Sequence, residues 1–287
     1  METRDFNTIS PSASTLLLLK GLTDIPFARQ AAELMMSNHE YSPDIANNDL
    51  LYWARVVHFE HRYKSIDQLL APLPVTNVLE LSSGFSFRGL QAVREGNYHY
   101  IDTDLPDMIV SKKPFVQALQ NGQQPATGTL ELLPLNALDE AQFMNIIDRF
   151  PPGEIAIVNE GLLMYLNDSE KQQLCANVRK ALQLRGGYWI TADIYIKSSD
   201  PDKQLNRNDE LQRFLEQHRI EDNKFESVEA AASFFAAAGF EVDQKAERER
   251  HKLGSLTHLL SIADDAQLEQ LRQHRRVQET WRLKVKA

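Results

Sequence analysis

A carboxylate that closes an apolar run, set behind a turn of small residues, can hold a nucleoside, and the chain carries this pattern between Val78 and Asp104. Val78–Leu81 is an apolar, strand-like run that breaks at Ser82-Ser83-Gly84-Phe85-Ser86. A helical pattern follows from Phe87 to Glu95, and a second strand-like run, His99 to Thr103, ends at Asp104. The turn lets backbone approach a ligand, and the acid can accept both ribose hydroxyls. The interval from Glu80 to Asp104 is close to the roughly 20 residues that separate such a turn from its acid. Asp102 precedes Asp104 by one pleat and points to the same face. The competing role for Asp104 is a helix N-cap, where Asp is favoured. Gly84 leaves the turn open, having no Cβ. Ser82 and Phe87 occupy the outer positions of a Gly-x-Gly-x-x-Gly fingerprint, which counts against a nicotinamide dinucleotide.

A second stretch, Asn159-Glu160-Gly161-Leu162-Leu163-Met164-Tyr165-Leu166, follows another buried-strand run. With Asp104-Leu105-Pro106 and the downstream Lys112, the block Glu160–Leu166 resembles the leucine carboxyl methyltransferase family, which includes bacterial polyketide O-methyltransferases. The resemblance runs from Lys20 to Leu184, over half of the chain. It implies S-adenosyl-L-methionine as cofactor and a class I methyltransferase, Rossmann-like fold. It places Asp104 on the ribose and Glu160 toward the amino-acid end of the cofactor. In Tyr52-Trp53-Ala54-Arg55-Val56 it gives Arg55 to the cofactor carboxylate, which a guanidinium can bind through two hydrogen bonds. Lys20 matches a second basic residue of that site. Asn136 and Ala137 stand where relatives carry Asp-Leu beside the adenine. Glu80, Ser82 and Gly84 complete the implied cofactor set. Arg88 and Tyr165 are candidates for positioning a substrate, and no catalytic residue is identified. Met164 and Leu166 read as packing, and Lys112 as structure. The chain departs from the family at Ser82, in place of glycine, and at Ser86-Phe87, where relatives often have Asp-Thr.

These residues need elements to hold them. From Ala13 to Leu70 the pattern is helical, ending near Pro72. Strands are expected near Val75–Leu81, Tyr98–Thr103, Leu130–Leu135, Ile155–Asn159 and Tyr188–Asp193, with helices near Phe87–Glu95, Met108–Asn121, Asp139–Phe150 and Ser169–Leu184. Pro106 suits a helix start, Asn167 with Glu170 a capping box, and Gly186-Gly187 a helix end. Alternation of this kind predicts an α/β fold with a doubly wound, mainly parallel sheet. The expected organisation is an N-terminal helical cover (1–72), an α/β core (73–263) and a C-terminal helical tail (264–287). The segment Lys197–Phe225 reads as a substrate-side insertion with a short helix at Asp209–Gln217. Ser227–Ala238 is an amphipathic helix, and Phe240–Glu247 with Leu253–Ile262 is expected to form a final pair of strands. In the tail, Leu268, Leu271, Val277 and Trp281 are expected to make a helical stripe.

The 287 residues, 43% hydrophobic and 25% charged, can build a sizeable core. A net charge of −9 argues against nucleic acid and anionic membranes as partners and leaves a small-molecule substrate. The lone Cys175 excludes an intrachain disulfide and fits a reducing compartment. Leu16–Leu19 is too short for a secretory core or a membrane span, so a cytoplasmic location is expected. The 8 histidines show no His-x-x-x-His and no pairing with Cys at zinc spacing, so no metal is expected. No Gly-x-Ser-x-Gly elbow supports Ser-based hydrolysis.

The expected activity is O-methyl transfer, with a carboxylate acceptor favoured because it is already ionised at neutral pH. A phenol or other hydroxyl would want a base, for which the sequence offers no candidate. A catalytically silent S-adenosylmethionine-binding protein and a nicotinamide oxidoreductase are the other readings. Oligomeric state is not legible.

Overall fold

Strands β1 (Asn77–Leu81) and β4 (Ile155–Asn159) are buried along their whole length. A parallel strand with helices on both faces has to be. The computed structural model of the chain describes residues 10–36, 50–122, 125–197, 220–273 and 278–286. Among them β1, β2 (His99–Asp104), β3 (Thr129–Pro134), β4, β5 (Gly187–Tyr195), β6 (Phe240–Lys245) and β7 (Gln278–Val285) form one seven-stranded sheet. Its order is β3-β2-β1-β4-β5-β7-β6, and β7 runs antiparallel to both of its neighbours. β1 pairs in parallel with both β2 and β4. The connections diverge from there, which opens a crevice at the carboxyl ends of β1 and β4.

Alternation along β1 assigns its side chains to two layers. Leu79 and Leu81 join a core with Phe143, Leu174, Val178, Trp189, Phe235 and Trp281, under α6 (Glu140–Ile147), α7 (Asp168–Arg185) and α8 (Val228–Ala237). Val78 joins the opposite core with Ile66, Leu69 and Val93, under α3 (Leu50–Leu70) and α4 (Arg88–Glu95). The helical segment before β1 therefore does two jobs. α3 is a layer of the sandwich, while α1 (Ser10–Lys20) and α2 (Ala28–Met35) pack beside α5 (Pro106–Gln120) over the crevice edge. The capping box of α7 forms as expected: Asn167 accepts from the Glu170 amide, and Glu170 accepts from the Asn167 amide at 2.8 Å.

Two expectations fail at the carboxyl-terminal end. Leu253–Ile262 is not a strand but leads into α9 (Leu256–Ile262). The Glu60 carboxylate takes the amides of Gly254 and Ser255 at 2.9 Å each, satisfying a helix start from another element. Leu256 and Leu259 then pack with Trp53 and Val56 at helical spacing. The tail after 264 is not wholly helical either. Among its described residues α10 (Asp265–Gln273) is helix, and Gln278–Val285 is the antiparallel strand inserted between β5 and β6. Its polar composition hides it, because buried Gln278 donates to Ala192 O at 2.8 Å and Thr280 bonds Ser65 at 2.6 Å. Trp281 lies in the sheet core rather than on a helical stripe, so the core extends through 285. The expected helix at Asp209–Gln217 and most of the 197–225 insertion lie outside the described residues. No described helix is long and apolar enough to cross a membrane.

Candidate functional site

The first turn is built from two left-handed residues. Ser82 and Gly84 both have φ of 50°. For Ser82 that conformation is unfavourable, so something must hold it. The Ser83 amide donates to Thr103 O at 3.0 Å, fastening the turn to β2. The Gly84 amide donates to Asp104 Oδ2 at 2.7 Å, and the Leu105 amide to Asp104 Oδ1 at 2.7 Å. Each oxygen thus keeps one more lone pair to offer a diol. Burial pushes the Asp104 carboxyl up from its usual range, against the pull of the Gly84 and Leu105 amides. At Gly84 a Cβ would lie 3.4 Å from the Ala13 methyl, so α1 rests directly over this turn.

Together these elements surround a cavity of about 1000 Å³, the open solvent at its mouth included. Ser82, Ser83, Gly84 and Asp104 line one wall, and Asn136 and Ala137, after β3, line the next. Glu160 to Leu162 line the wall after β4, and Lys20 and Arg62 close it from α1 and α3. Asn136 is exposed, and its side-chain oxygen accepts from the Leu138 amide at 3.1 Å.

Glu160 is the centre of charge. Lys20 Nζ donates to its Oε1 at 2.7 Å, and Arg62 donates to the same oxygen from Nε at 3.1 Å and Nη2 at 3.0 Å. Arg88 approaches Oε2 at 3.5 Å from behind while stacked on the Tyr63 ring, 3.7 Å from its centroid. Burial alone would raise the Glu160 carboxyl, yet Lys20, Arg62 and Arg88 hold it down at about 2. Burial lowers Lys20 from its usual value in spite of Glu160. Arg62 is itself oriented by Tyr195, whose hydroxyl it reaches at 3.0 Å and which bonds His58 at 2.8 Å. Burial and the neighbouring Arg62 push His58 down to about 3, so its ring is neutral.

A second acid shapes the loop after β4. Asp193 accepts from the amides of Gly161 at 2.7 Å, Leu162 at 2.7 Å and Leu163 at 3.1 Å, and from Asn159 Nδ2 at 2.7 Å. This carboxylate holds the 3-10 turn Leu163–Tyr165 and so aims Tyr165 across the cavity toward Ser12, which it meets at 3.4 Å. Around that end the wall is apolar, with Leu16, Leu17, Leu138 and Leu166.

Of the residues expected from the sequence, Lys20, Ser82, Gly84, Asp104, Asn136, Ala137, Glu160 and Tyr165 meet at this one cavity. Three do not line it. Glu80 lies beneath, accepting from Tyr100 Oη at 2.7 Å, and Arg88 is buried behind Glu160. Arg55 is half-buried on α3 and does not line the cavity, whereas Arg62, two turns farther along the same face, does. Asp102, the alternative acid, is committed to Lys112 at 2.6 Å. Sequence reasoning missed Arg62, Ser83, Asp193 and Tyr195. The same signal that marked Asp104, an acid closing an apolar strand, was present at Asp193.

Cys175 is buried and its thiol is pushed up to about 12 by that burial, so it offers no nucleophile. Among the described residues no group of three His, Cys, Asp or Glu side chains is placed to hold a metal ion.

No protein-family model and no curated protein sequence matches the chain. Solved structures do. One is an O-methyltransferase family protein from Burkholderia thailandensis, at TM-score 0.49 and 12% identity, over 85% of this chain and 62% of that one. Another is an O-methyltransferase family 2 protein from Planctomyces limnophilus in complex with apigenin, at TM-score 0.48 and 16% identity, over 91% and 67%. A third is magnesium protoporphyrin IX methyltransferase from Synechocystis with bound SAH, at TM-score 0.47 and 9% identity, over 84% and 88%. The chain spans less than two thirds of the first of these proteins.

Proposed function

We propose that the chain is an S-adenosylmethionine-dependent O-methyltransferase that esterifies a small-molecule carboxylate. One observation carries this reading: the Gly84 turn, the Asp104 carboxylate and the Lys20–Arg62–Glu160 cluster face a single cavity at the point where the sheet's connections diverge. The residues fit the cofactor end by end. Asp104 would take the ribose hydroxyls, and Leu105, Met108 and Ala137 would flank the adenine beside Asn136. Lys20 and Arg62 would receive the carboxylate of the methionine portion, and Glu160 its ammonium. The cofactor would supply an electrophilic methyl group on sulfonium sulfur.

The protein's part is alignment and exclusion of water, which can supply much of such a rate. Leu16, Leu17, Leu138 and Leu166 would desolvate the acceptor, and the Tyr165 hydroxyl, kept protonated by burial, would donate to one of its oxygens. Apart from that tyrosine, the titratable side chains among the cavity residues are Lys20, Arg62, Asp104 and Glu160, each already assigned to the cofactor. A carboxylate acceptor needs no base and suits such a wall. Within the methyltransferases, the Glu160–Leu166 block keeps the resemblance to the leucine carboxyl methyltransferase family, with Arg62 in place of Arg55. The net charge of −9 and the buried single cysteine fit a cytoplasmic protein acting on a small molecule rather than nucleic acid or membrane.

The test is transfer of labelled methyl from S-adenosylmethionine into a panel of metabolite carboxylates, followed by mild alkali. Label released as methanol supports the ester. Label in an alkali-stable ether would move the acceptor to a hydroxyl, and no transfer to any small molecule would contradict an enzyme of this kind.

A further inference from the structure

Beneath the ligand-facing turn lies an ion pair that does not itself line the cavity. Lys112, on α5, is fully buried, and its Nζ donates to Asp102 Oδ2 at 2.6 Å and to Ser83 Oγ at 3.0 Å. The Ser83 hydroxyl in turn donates to Asp102 Oδ1. Ser83 is the residue between the two left-handed positions, Ser82 and Gly84. Its amide is also tied to β2, through Thr103 O. Of Lys112, Asp102 and Ser83, only Ser83 lines the cavity, while Asp102 sits one pleat below Asp104 on the same face of β2.

Such a pair is a poor device for stability. Taking both charges from water costs several kcal/mol per ion, and an apolar pair of the same volume often serves as well or better. What it provides here is direction. A buried ammonium with fixed acceptors locks one hydroxyl, and that hydroxyl belongs to the middle of a turn whose first residue resists its own conformation. We infer that Lys112, with Asp102, is a positioning residue for cofactor binding: through Ser83 it holds the Ser82–Gly84 turn in the shape that aims the Gly84 amide at Asp104. This rests on the reading of the turn as part of an S-adenosylmethionine site.

The experiment compares wild type with the paired variant Asp102→Leu/Lys112→Met, which removes both charges together and leaves neither buried ion without its partner, and with Ser83→Ala. Amide hydrogen exchange is followed in the ligand-free proteins at Gly84 and, as a control, at Ile157 in β4. Titration with S-adenosylhomocysteine is run alongside. The expected result is exchange at least tenfold faster at Gly84 with Ile157 unmoved, and affinity at least tenfold weaker in both variants. Unchanged Gly84 exchange in the folded variants overturns the inference, as does unchanged affinity in a variant whose turn has loosened. Failure of wild type to bind S-adenosylhomocysteine would instead overturn the cofactor reading, and the exchange data would still decide whether Lys112 sets the turn.

Discussion

Arg62 reaches Glu160 Oε1 twice, from Nε at 3.1 Å and from Nη2 at 3.0 Å, while its Nη1 is spent on Tyr195. A guanidinium held by three of its five donors is pre-aimed with two left to offer a ligand, and a lysine cannot reproduce three directed bonds from a rigid plane. Arg62→Lys should therefore weaken S-adenosylhomocysteine about tenfold or more, whereas Arg55→Lys should change it less than twofold. Titration of the two variants side by side decides which arginine belongs to the site, and the reverse ranking would return the role to Arg55.

Glu160 makes stability depend on pH. Its carboxyl titrates at about 2 in the fold against an ordinary value of 4.5. A depressed acid contributes stability that is fully present above its unfolded value and is lost as pH falls toward the folded one. The difference corresponds to about 3 kcal/mol. Glu160→Gln should thus be less stable than wild type above pH 5, and that deficit should shrink steadily between about pH 4.5 and pH 2. Urea unfolding at a series of pH values measures it. A deficit that stays constant across that window would mean the three cations do not act on Glu160.

Asp193 should prove a structural acid with a functional consequence. Asp193→Ala strips an acceptor from three amides and Asn159 at once, and each buried group left unpaired costs about 1–3 kcal/mol. We expect a loss of at least about 3 kcal/mol in denaturant unfolding. Asp193→Asn, which keeps one oxygen, should lose less. Equal and small effects of both would show that the loop Gly161–Leu163 holds itself.

How far the sequence reveals all this depends on range. Strands β1 and β4 stand out because parallel strands buried on both faces are largely apolar runs, and the Gly84 turn with Asp104 is readable because its parts lie within one strand-helix-strand unit. β7 was hidden because its burial is bought with hydrogen bonds from Gln278 and Thr280 instead of with apolar side chains. The charge cluster was legible only in part. Lys20 and Glu160 came from a resemblance, but Arg62 bonds a partner 98 residues away, and nothing local distinguishes it from Arg55 on the same helical face. Lys112 reads from the sequence as structure, and it is fully buried. Its three-way link to Asp102 and Ser83 required coordinates.

Asp104 bears most directly on the central claim, since it lines the cavity with each of its two oxygens oriented by a backbone amide. Asp104→Ala should forfeit about 1–3 kcal/mol of ligand binding, or roughly 5- to 150-fold in affinity. The decisive measurement is calorimetric titration of wild type and this variant with S-adenosylhomocysteine, with NADH as the control ligand. The account predicts one saturable site for S-adenosylhomocysteine on wild type, the stated loss in Asp104→Ala, and no heat with NADH. A folded wild-type protein that binds NADH, or that gives no heat with S-adenosylhomocysteine, would contradict it.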